Sequence, residues 1–311
     1  MKAFARAPAK AILLGEHFVV HGGGAMAVAL DRGMEATAER QADDSLVSLD
    51  TGHRVALSHA RGFMLPVSAA LADFMKEHSL HGVRVSLKSS IPSAAGLGSS
   101  ASSSVAAVAA AAELFRVRLS QDELYAHAMK AEQLVHGNAS GTDVFVSVAG
   151  GAVHVKGGKR TRLEHFPRFQ LMLCDSGISR NTGQMVTKVS GFRSSNGELF
   201  SGLQAAVDSL VEACVKVTGV SGLRLLAQAM NLDHEALKIV GASSPTLDHM
   251  VWEARRSGFE GAKLTGAGGG GCVVGVSARN ASRSLSKFSK LFANAFLSKV
   301  PGEGVTSWKG S

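Results

Sequence analysis

The chain has 311 residues, of which 45% are hydrophobic and 19% charged, and its formal net charge is +8. This composition indicates a globular protein with a large core, and the length favours two domains over one. Only 5% of the residues are aromatic and the basic residues are scattered, which suits small anionic substrates at least as well as a polyanion. We therefore expect no nucleic-acid partner.

The cysteines and the apolar segments indicate a reducing compartment. Cys174, Cys214 and Cys272 lie far apart without a Cys-x-x-Cys pair, which predicts core residues and neither a disulfide framework nor a zinc site. The longest alanine-valine run, residues 105–112, is far below the ~20 residues of a membrane span, and charged residues break the N-terminal apolar segment. We expect a cytoplasmic protein with no membrane partner.

The first elements in the chain are predicted strands. Residues 2–14 are strand-like, and Glu16 with His17 then separates them from a second apolar run. Polar groups in an apolar context need a partner or a chemical role, although a capped loop with both side chains in water fits equally well. Residues 35–61 alternate as exposed strands do, and a helix is predicted over about 66–77.

A glycine turn at residues 91–105 follows a predicted strand at 83–87 and opens a helix of small residues. Gly96 and Gly98 let the backbone bend tightly and approach a ligand, while the first-turn N–H groups and the helix dipole face the same space. The turn indicates phosphate binding, and an ordinary helix cap is the alternative. The chain contains no Walker phosphate-binding motif. Residues 96–101 fit the loose dinucleotide-binding pattern, but the acidic residue that would contact the ribose about 20 residues later is missing.

Two acidic residues lie on the next predicted elements. Ser120 and Glu123 form a capping box that starts a helix, and Glu132 lies beside its apolar stripe, where a solvated flank is the common role. A glycine-bearing turn ends this helix, and residues 144–148 are predicted to form a strand. Asp143 is thus expected at a turn-to-strand junction, where an ordinary turn aspartate also fits.

The remainder of the chain has a β-α-β-β-α-β pattern, which is the ferredoxin-like arrangement with extra helices in its first crossover. Strands are predicted near residues 169–174, 262–264, 272–276 and 305–308, and helices near 199–217, 222–240, 246–257 and around Leu285, Phe288, Phe292 and Phe296. We therefore predict domains at 1–164 and 165–311. The glycine cluster at 266–271 indicates a close approach of another backbone or a ligand, with a floppy hairpin as the alternative.

Three strings in fixed order carry a family resemblance. They are Pro-Ala-Lys-Ala-Ile-Leu-Leu-Gly-Glu-His-Phe-Val-Val-His-Gly22, Pro-Ser-Ala-Ala-Gly-Leu-Gly-Ser-Ser-Ala101 and Lys-Leu-Thr-Gly-Ala-Gly-Gly-Gly-Gly271. They resemble the three motifs of the GHMP small-molecule kinases. The first string and His-Gly-Asn-Ala-Ser-Gly-Thr-Asp143 look most like the branch that phosphorylates mevalonate, with Ala139 where many relatives carry proline.

The resemblance implies an α+β, two-domain GHMP kinase fold. Its N-terminal unit would be shared with a ribosomal-protein domain, its C-terminal unit would be ferredoxin-like, and the active site would lie between them. The implied reaction is ATP-dependent phosphorylation of the primary alcohol of (R)-mevalonate to 5-phosphomevalonate, with ATP and Mg²⁺ as cofactors. A homodimer is compatible with the resemblance, and the sequence itself does not fix the oligomeric state.

The same resemblance implies roles for particular residues. Asp143 would accept or orient the hydroxyl proton beside Lys10, and Ser100 with Glu132 would hold Mg²⁺. The implied ATP-binding residues are Pro92, Ser93, Ala94, Ala95, Gly96, Leu97, Gly98, Ser99, Ser100, Ala101 and Ser102. The implied substrate-binding residues are Glu16, His17, Arg180 and Thr182. The implied glycine loop that packs against the phosphate turn and shapes the site contains Gly266, Gly268 and Gly269.

Three alternative functions stay open at this point. A sister GHMP kinase, acting on phosphomevalonate, the 3-hydroxyl of mevalonate, homoserine or galactose, would share the two glycine motifs. The first motif and the string ending at Asp143 argue against it. A catalytically silent protein of the same fold is disfavoured because the implied catalytic and ion-binding residues are present together. A basic nucleic-acid-binding protein would show strongly salt-dependent binding.

Overall fold

The computed structural model describes residues 2–92, 96–136, 140–179 and 181–310. The predicted site residues that lie outside the described residues are Ser93, Ala94, Ala95 and Arg180. In the described part of the chain, the elements form two units, each built on its own sheet.

The strands pair mostly antiparallel. They are β1 Lys2–Leu14, β2 Ala25–Arg40, β3 Ser45–Ser48, β4 Arg54–Ala56, β5 Val83–Ser89, β6 Ala152–Lys156, β7 Lys159–Leu163, β8 Phe169–Asp175, β9 Gly261–Thr265, β10 Cys272–Val276, β11 Phe296–Val300 and β12 Thr306–Lys309. The first sheet has the order β12-β1-β2-β5-β3-β4, with β6 on β2 and β7 on β6, and the second has the order β11-β8-β10-β9. The pair β3–β5 is parallel.

The helices pack on these sheets. They are α1 Leu65–Glu77, α2 Ser99–Phe115, α3 Gln121–His136, α4 Thr142–Ala149, α5 Thr182–Ser195, α6 Gly197–Val215, α7 Gly219–Ile239, α8 Pro245–Ser257 and α9 Ala281–Phe288. Helix α2 lies directly on β1 and β2, with α1 and α3 packed against it, whereas α7, α8 and α9 pack on the second sheet. No helix in the described ranges is both long enough and apolar enough to cross a membrane.

Small residues bring α2 close to the first sheet. From Ala101 to Ala112 the helix contains only Ala, Ser and Val, and all of these side chains are buried. Short side chains allow the helix backbone to approach the strands closely while still filling the space between them. This packing fixes the position of the glycine turn from which the helix starts.

The second sheet confirms the ferredoxin-like prediction but corrects its last strand. Strand β11 at Phe296–Val300 pairs with β8 and completes the order 4-1-3-2, while β12 pairs with β1 of the first sheet. The predicted strand near 305–308 therefore belongs to the first sheet. The helical spacing that extended to Phe296 was misleading, because α9 ends at Phe288 and Phe296 instead begins an alternating strand.

Residues 144–148 form part of a helix, so the strand predicted there is wrong. The segment Thr142–Ala149 is α4, with Gly141 as its N-cap and Gly150 after its last turn. A short apolar run fits a buried helix as well as a buried strand, because periodicity cannot separate the two at this length. As a consequence, Asp143 lies in the first turn of a helix.

One hydrophobic cluster joins the two units. It combines the core of the second sheet with residues of β1 and β2, including Leu13, Leu14 and Met26. The three cysteines are buried, which confirms their prediction as core residues. The strand β1 therefore belongs to the cores of both units, and its C-terminal half lies at their junction.

The side chain of Thr265 connects the two sheets directly. Its hydroxyl accepts a hydrogen bond from the Ile12 N–H at 2.9 Å and donates one to the Ile12 carbonyl at 3.0 Å. Thr265 has no exposed surface. A buried hydroxyl with both bonds made holds the end of β9 in fixed register with β1.

Replacing Thr265 by valine tests this connection. Thr265→Val keeps the shape of the side chain but removes both hydrogen bonds, and we expect it to lower the free energy of unfolding by ~1–3 kcal/mol. Thr161→Val, at an exposed position of β7, is the matched control and should stay within ~0.5 kcal/mol of the wild type. Urea unfolding followed by circular dichroism measures both, and equal midpoints for Thr265→Val and the wild type would contradict the assigned role.

Candidate active site

The glycine turn before α2 has the geometry of a phosphate site. Gly98 is the N-cap of α2 with φ of 74°, a conformation that favours glycine. The first N–H groups of α2 have no acceptor within the helix, and the positive end of its dipole lies at the same place. Ser99 and Ser100 are partly exposed there, whereas Leu97 and Ala101 are buried.

Ser102 is less well placed for a ligand than the sequence suggests. Its side chain is fully buried, and its hydroxyl donates to the carbonyl of Ser99 at 3.2 Å. Among the predicted ATP residues, Pro92 and Gly96 lie in the turn itself, and Pro92 is partly exposed. Among the described residues of the turn, the accessible side-chain hydroxyl groups are therefore those of Ser99 and Ser100.

An ion pair lies against this turn. The Nζ atom of Lys10 is 3.1 Å from Oδ1 of Asp143, and Lys10 is almost entirely buried while the Asp143 side chain is 37% exposed. A Cβ on Gly98 would lie 3.1 Å from Cγ of Lys10 and 3.5 Å from Oδ2 of Asp143. The structure thus brings the two predicted catalytic residues together at the start of α2, with the carboxylate accessible.

The backbone of β1 explains how Lys10 reaches this position. The register of β1 against β2 shifts between Pro8 and Lys10, where proline has no N–H to donate. At this irregularity the Lys10 N–H donates to the carbonyl of Leu97 at 2.8 Å. The hydroxyl of Ser147 on α4 donates to the carbonyl of Pro8 at 2.9 Å. These bonds fasten β1 to the phosphate turn and to the helix that carries Asp143.

Ser100 and Glu132 form a second contact beside the turn. The Ser100 hydroxyl donates to Oε1 of Glu132 at 2.6 Å, which joins the first turn of α2 to α3. Glu132 is mostly buried and Ser100 is partly exposed. A hydroxyl and a carboxylate are the oxygen donors that Mg²⁺ prefers, so the donor set fits that ion.

The predicted substrate residues of the first motif lie at the junction with the second unit. The Glu16 carboxylate is buried and forms an ion pair with Nζ of Lys263. His17 has φ of 63°, and its Nε2 lies 2.8 Å from the carbonyl of Ala267. Burial lowers the pKa of His17, which favours a neutral ring whose Nε2–H donates to that carbonyl.

Close backbone approaches account for the glycine cluster at 266–271. A Cβ on Gly268 would lie 2.0 Å from the Ala242 carbonyl oxygen, and the Gly269 N–H donates to that oxygen at 2.9 Å. The Gly271 N–H donates to the carbonyl of Ile178 at 3.1 Å. The expected approach of another backbone is confirmed. Packing of this loop, including Gly266, against the phosphate turn stays a prediction.

Thr182 is exposed at the first position of α5. The side chain of Asn181 caps this helix by accepting a hydrogen bond from the Gln184 N–H at 3.1 Å. The loop before α5 contacts the glycine cluster through Ile178 and Gly271. Thr182 is therefore close in the chain to the junction but is not enclosed by it.

Comparison with known proteins identifies the family to which the chain belongs. Family models for the GHMP kinase N-terminal and C-terminal domains match residues 65–151 and 210–294. The chain is 31% identical over 317 residues to the mevalonate kinase of Aeropyrum pernix, and the match covers 97% of each chain. The chain belongs to the GHMP kinase family.

Solved structures of other family members share the fold of this GHMP kinase. The L. major mevalonate kinase in complex with R-mevalonate gives a TM-score of 0.80 at 23% identity and covers 96% of each chain. The Lactococcus lactis galactokinase complexed with galactose gives a TM-score of 0.76 at 19% identity, covering 98% of this chain and 95% of that one. Because both proteins match, the fold alone does not select the alcohol that is phosphorylated.

A buried charge network at the junction of this GHMP kinase was not predicted from the sequence. The fully buried Lys263 lies 3.2 Å from Oδ2 of Asp233 and also pairs with Glu16, so two carboxylates share one ammonium group. Burial raises the pKa of Glu16 to about 8, against the opposing effect of Lys263. The sequence did offer one signal for this network, namely a lysine within a mostly apolar strand. A buried ammonium group needs a buried partner, so such a lysine predicts a carboxylate beside it.

His234 extends this network towards α8. Its Nδ1 accepts from the Leu264 N–H at 3.4 Å, and its Nε2 lies 3.3 Å from Oδ1 of Asp248. Burial, together with the positive charges of Lys263, Arg255 and Lys238, lowers the pKa of His234 to about 3 despite the nearby carboxylate. The ring is therefore neutral in the native state, with Nε2 facing the Asp248 carboxylate.

Acidification should destabilise the fold through His234. An unfolded histidine gains its proton near pH 6.5, whereas native His234 gains it only near pH 3, so the unfolded state binds more protons between these values. Stability then falls as the pH decreases, by at most about 1.4 kcal/mol per pH unit from this residue.

Urea unfolding between pH 7 and pH 4.5 measures this dependence. His234→Gln should lose stability less steeply than the wild type over that range, whereas His53→Gln, at an exposed position, should follow the wild type. Parallel pH profiles for His234→Gln and the wild type would show that His234 does not take up the proton on unfolding.

Proposed function

We propose that this GHMP kinase transfers the γ-phosphoryl group of ATP to the primary alcohol of (R)-mevalonate and forms 5-phosphomevalonate. The observation that carries the proposal is the ion pair between Lys10 and Asp143, which lies against Gly98 at the start of α2. The name of the Aeropyrum pernix relative supports mevalonate as the substrate. The family models support ATP as the phosphate donor.

In this proposal the phosphates of ATP bind to the turn and to the first N–H groups of α2. The partly exposed Ser99 and Ser100 offer hydroxyl groups at the same place. The helix dipole attracts the negative charge, and the buried α2 holds these donors rigidly. The turn would thereby orient the γ-phosphoryl group towards Asp143, and positioning is the larger part of catalysis in phosphoryl transfer.

The accessible carboxylate of Asp143 would receive or orient the hydroxyl proton of the alcohol. The alcohol oxygen then forms a bond to the γ-phosphorus while the bond from that phosphorus to the β–γ bridging oxygen breaks, and ADP leaves with the bonding electrons. Lys10 pairs with Asp143 and would compensate the charge on the transferring group. A loose transition state needs little help from a base, so orientation of the alcohol is a sufficient role for Asp143.

Ser100 and Glu132 are the proposed ligands of Mg²⁺. When bound, Mg²⁺ neutralises charge on the phosphates. Among the substrate residues, Arg180 is the proposed partner of the mevalonate carboxylate, because a guanidinium group binds a carboxylate with two parallel hydrogen bonds. Thr182 is proposed to assist it. The assignment of Glu16 and His17 to the substrate stays a prediction, and their contacts with Lys263 and Ala267 support a role in shaping the junction.

The proposed reaction is tested by a coupled assay of ATP consumption with four candidate substrates. Mevalonate should be turned over, whereas phosphomevalonate, homoserine and galactose should not. Asp143→Asn should lower kcat with mevalonate by ~10²–10⁴-fold because the carboxylate that receives or orients the hydroxyl proton and pairs with Lys10 is lost, while ATP binding changes little. Asp122→Asn, which alters an exposed aspartate in the first turn of α3, is the matched control and should leave kcat unchanged.

Each part of the proposal has its own contradicting result. Turnover of a different alcohol without turnover of mevalonate would overturn the substrate assignment and leave the kinase assignment intact. Wild-type kcat in a correctly folded Asp143→Asn variant would overturn the role of Asp143.

Removal of either proposed ion ligand should raise the requirement for Mg²⁺. Ser100→Ala and Glu132→Gln should each shift the free Mg²⁺ concentration for half-maximal rate upward by ~10-fold or more, because a hard cation loses an oxygen ligand. Ser103→Ala is the control, since that hydroxyl donates to the Ser99 carbonyl at 2.7 Å within the same helix. The measurement is kcat against free Mg²⁺ at saturating ATP, and superimposable curves for all four proteins would exclude Ser100 and Glu132 as ligands.

A further inference from the structure

A second group of metal-ligating side chains lies where α1 ends against α3. Glu77, His78 and His127 each offer one ligand atom, and these atoms lie within 4.8 Å of one another. His127 and Glu132 are five residues apart on α3, which separates their directions by about 140° around the helix axis. The cluster is therefore distinct from the contact between Ser100 and Glu132.

A carboxylate already holds one of these histidines in place. Nδ1 of the buried His127 is 2.6 Å from Oδ2 of Asp73, and Nζ of Lys130 is 2.9 Å from both oxygens of the same carboxylate. Metal-binding histidines are commonly oriented in this way by a carboxylate on the other ring nitrogen. The contact with Asp73 leaves Nε2 of His127 as the nitrogen available to a ligand.

The second histidine has a buried nitrogen for which the described residues provide no partner. Nε2 of His78 is enclosed by the protein and makes no hydrogen bond with any described residue. The ring of Phe74 packs against both imidazoles, with centroid distances of 5.0 Å to His78 and 5.7 Å to His127. A buried polar atom without a partner costs free energy, and a metal ion would satisfy it.

The charges around the cluster favour a cation. Glu77 and Asp73 each place a carboxylate beside one of the rings or in contact with it, and Lys130 contacts both oxygens of Asp73. These two carboxylates carry more charge than the one ammonium group that contacts them, and a divalent cation would compensate the difference.

We propose that Glu77, His78 and His127 bind one divalent transition-metal ion of the Zn²⁺ class, with Asp73 as a positioning residue. Two imidazoles and a carboxylate are zinc ligands, and three protein ligands leave a fourth position for water. Mg²⁺ prefers an all-oxygen set, so this ion differs from the one proposed at the nucleotide. Donors around tetrahedral zinc are about 3.3 Å apart, and rotation of the exposed Glu77 side chain can bring its oxygen inward. The bound ion would fix the end of α1 to α3.

Zinc titration of the full-length, tag-free and metal-stripped protein tests the site. In the absence of nucleotide, calorimetry should give one equivalent bound at micromolar affinity or tighter, and saturation should raise the unfolding midpoint by ~3 °C or more. Co²⁺ in place of zinc should give the visible absorption of a four- or five-coordinate ion with nitrogen and oxygen ligands.

Variants identify the ligands. Glu77→Gln and His78→Asn should each weaken zinc binding at least ~10-fold, and Asp73→Asn should weaken it by ~10–100-fold through the orientation of His127. Glu77 is exposed, so its variant keeps the test valid even if a change at the buried His127 disturbs folding. His81→Asn, an exposed histidine close in sequence, is the control and should bind like the wild type. Absence of a micromolar equivalent in the wild type, or undiminished affinity in both Glu77→Gln and His78→Asn, would overturn the proposal.

Discussion

The ion pair between Lys10 and Asp143 is the contact on which the proposed site depends. It joins three segments that are distant in sequence, namely the middle of β1, the turn before α2 and the first turn of α4. Lys10 is buried, and a buried ammonium group is tolerated only with a partner, so the pair constrains where α4 can begin. The same contact therefore fixes the geometry of the proposed site and the packing of α4 against β1.

Much of the fold could be predicted from hydrophobic periodicity, and the exceptions have physical causes. The helices α1, α2 and α3 bury a clear apolar face, which gives a strong signal. Helix α5 has no such apolar face, because Val189 is the one buried residue of this helix. Its sequence therefore carried no periodic signal. Helix α4 is short and its residues 144–148 are mostly apolar, so it could not be distinguished from a strand. Strand β11 completes the second sheet, whereas β12 joins the first. This assignment depends on long-range pairing that local sequence does not encode.

The sequence motifs of the proposed site could be predicted one by one, but the contacts between their side chains could not. The glycine turn identified Gly98, and the family resemblance supplied the roles of Asp143 and Lys10. The network around Lys263 was missed because its members come from the turn after β1, from α7 and from β9, and only the fold brings these segments together. This network lies at the junction of the two units, where Glu16 and His17 contact the second one.

The choice of alcohol depends on side chains around a site whose fold is shared with kinases of other substrates. A crystal structure of the protein with mevalonate and a non-hydrolysable ATP analogue tests the central claim most directly. It should place the terminal phosphate at the N-terminus of α2, with the primary hydroxyl of mevalonate within ~3.2 Å of an Asp143 carboxylate oxygen. A triphosphate bound elsewhere, or an Asp143 carboxylate turned away from the hydroxyl beyond the reach of one bridging water, would contradict the account.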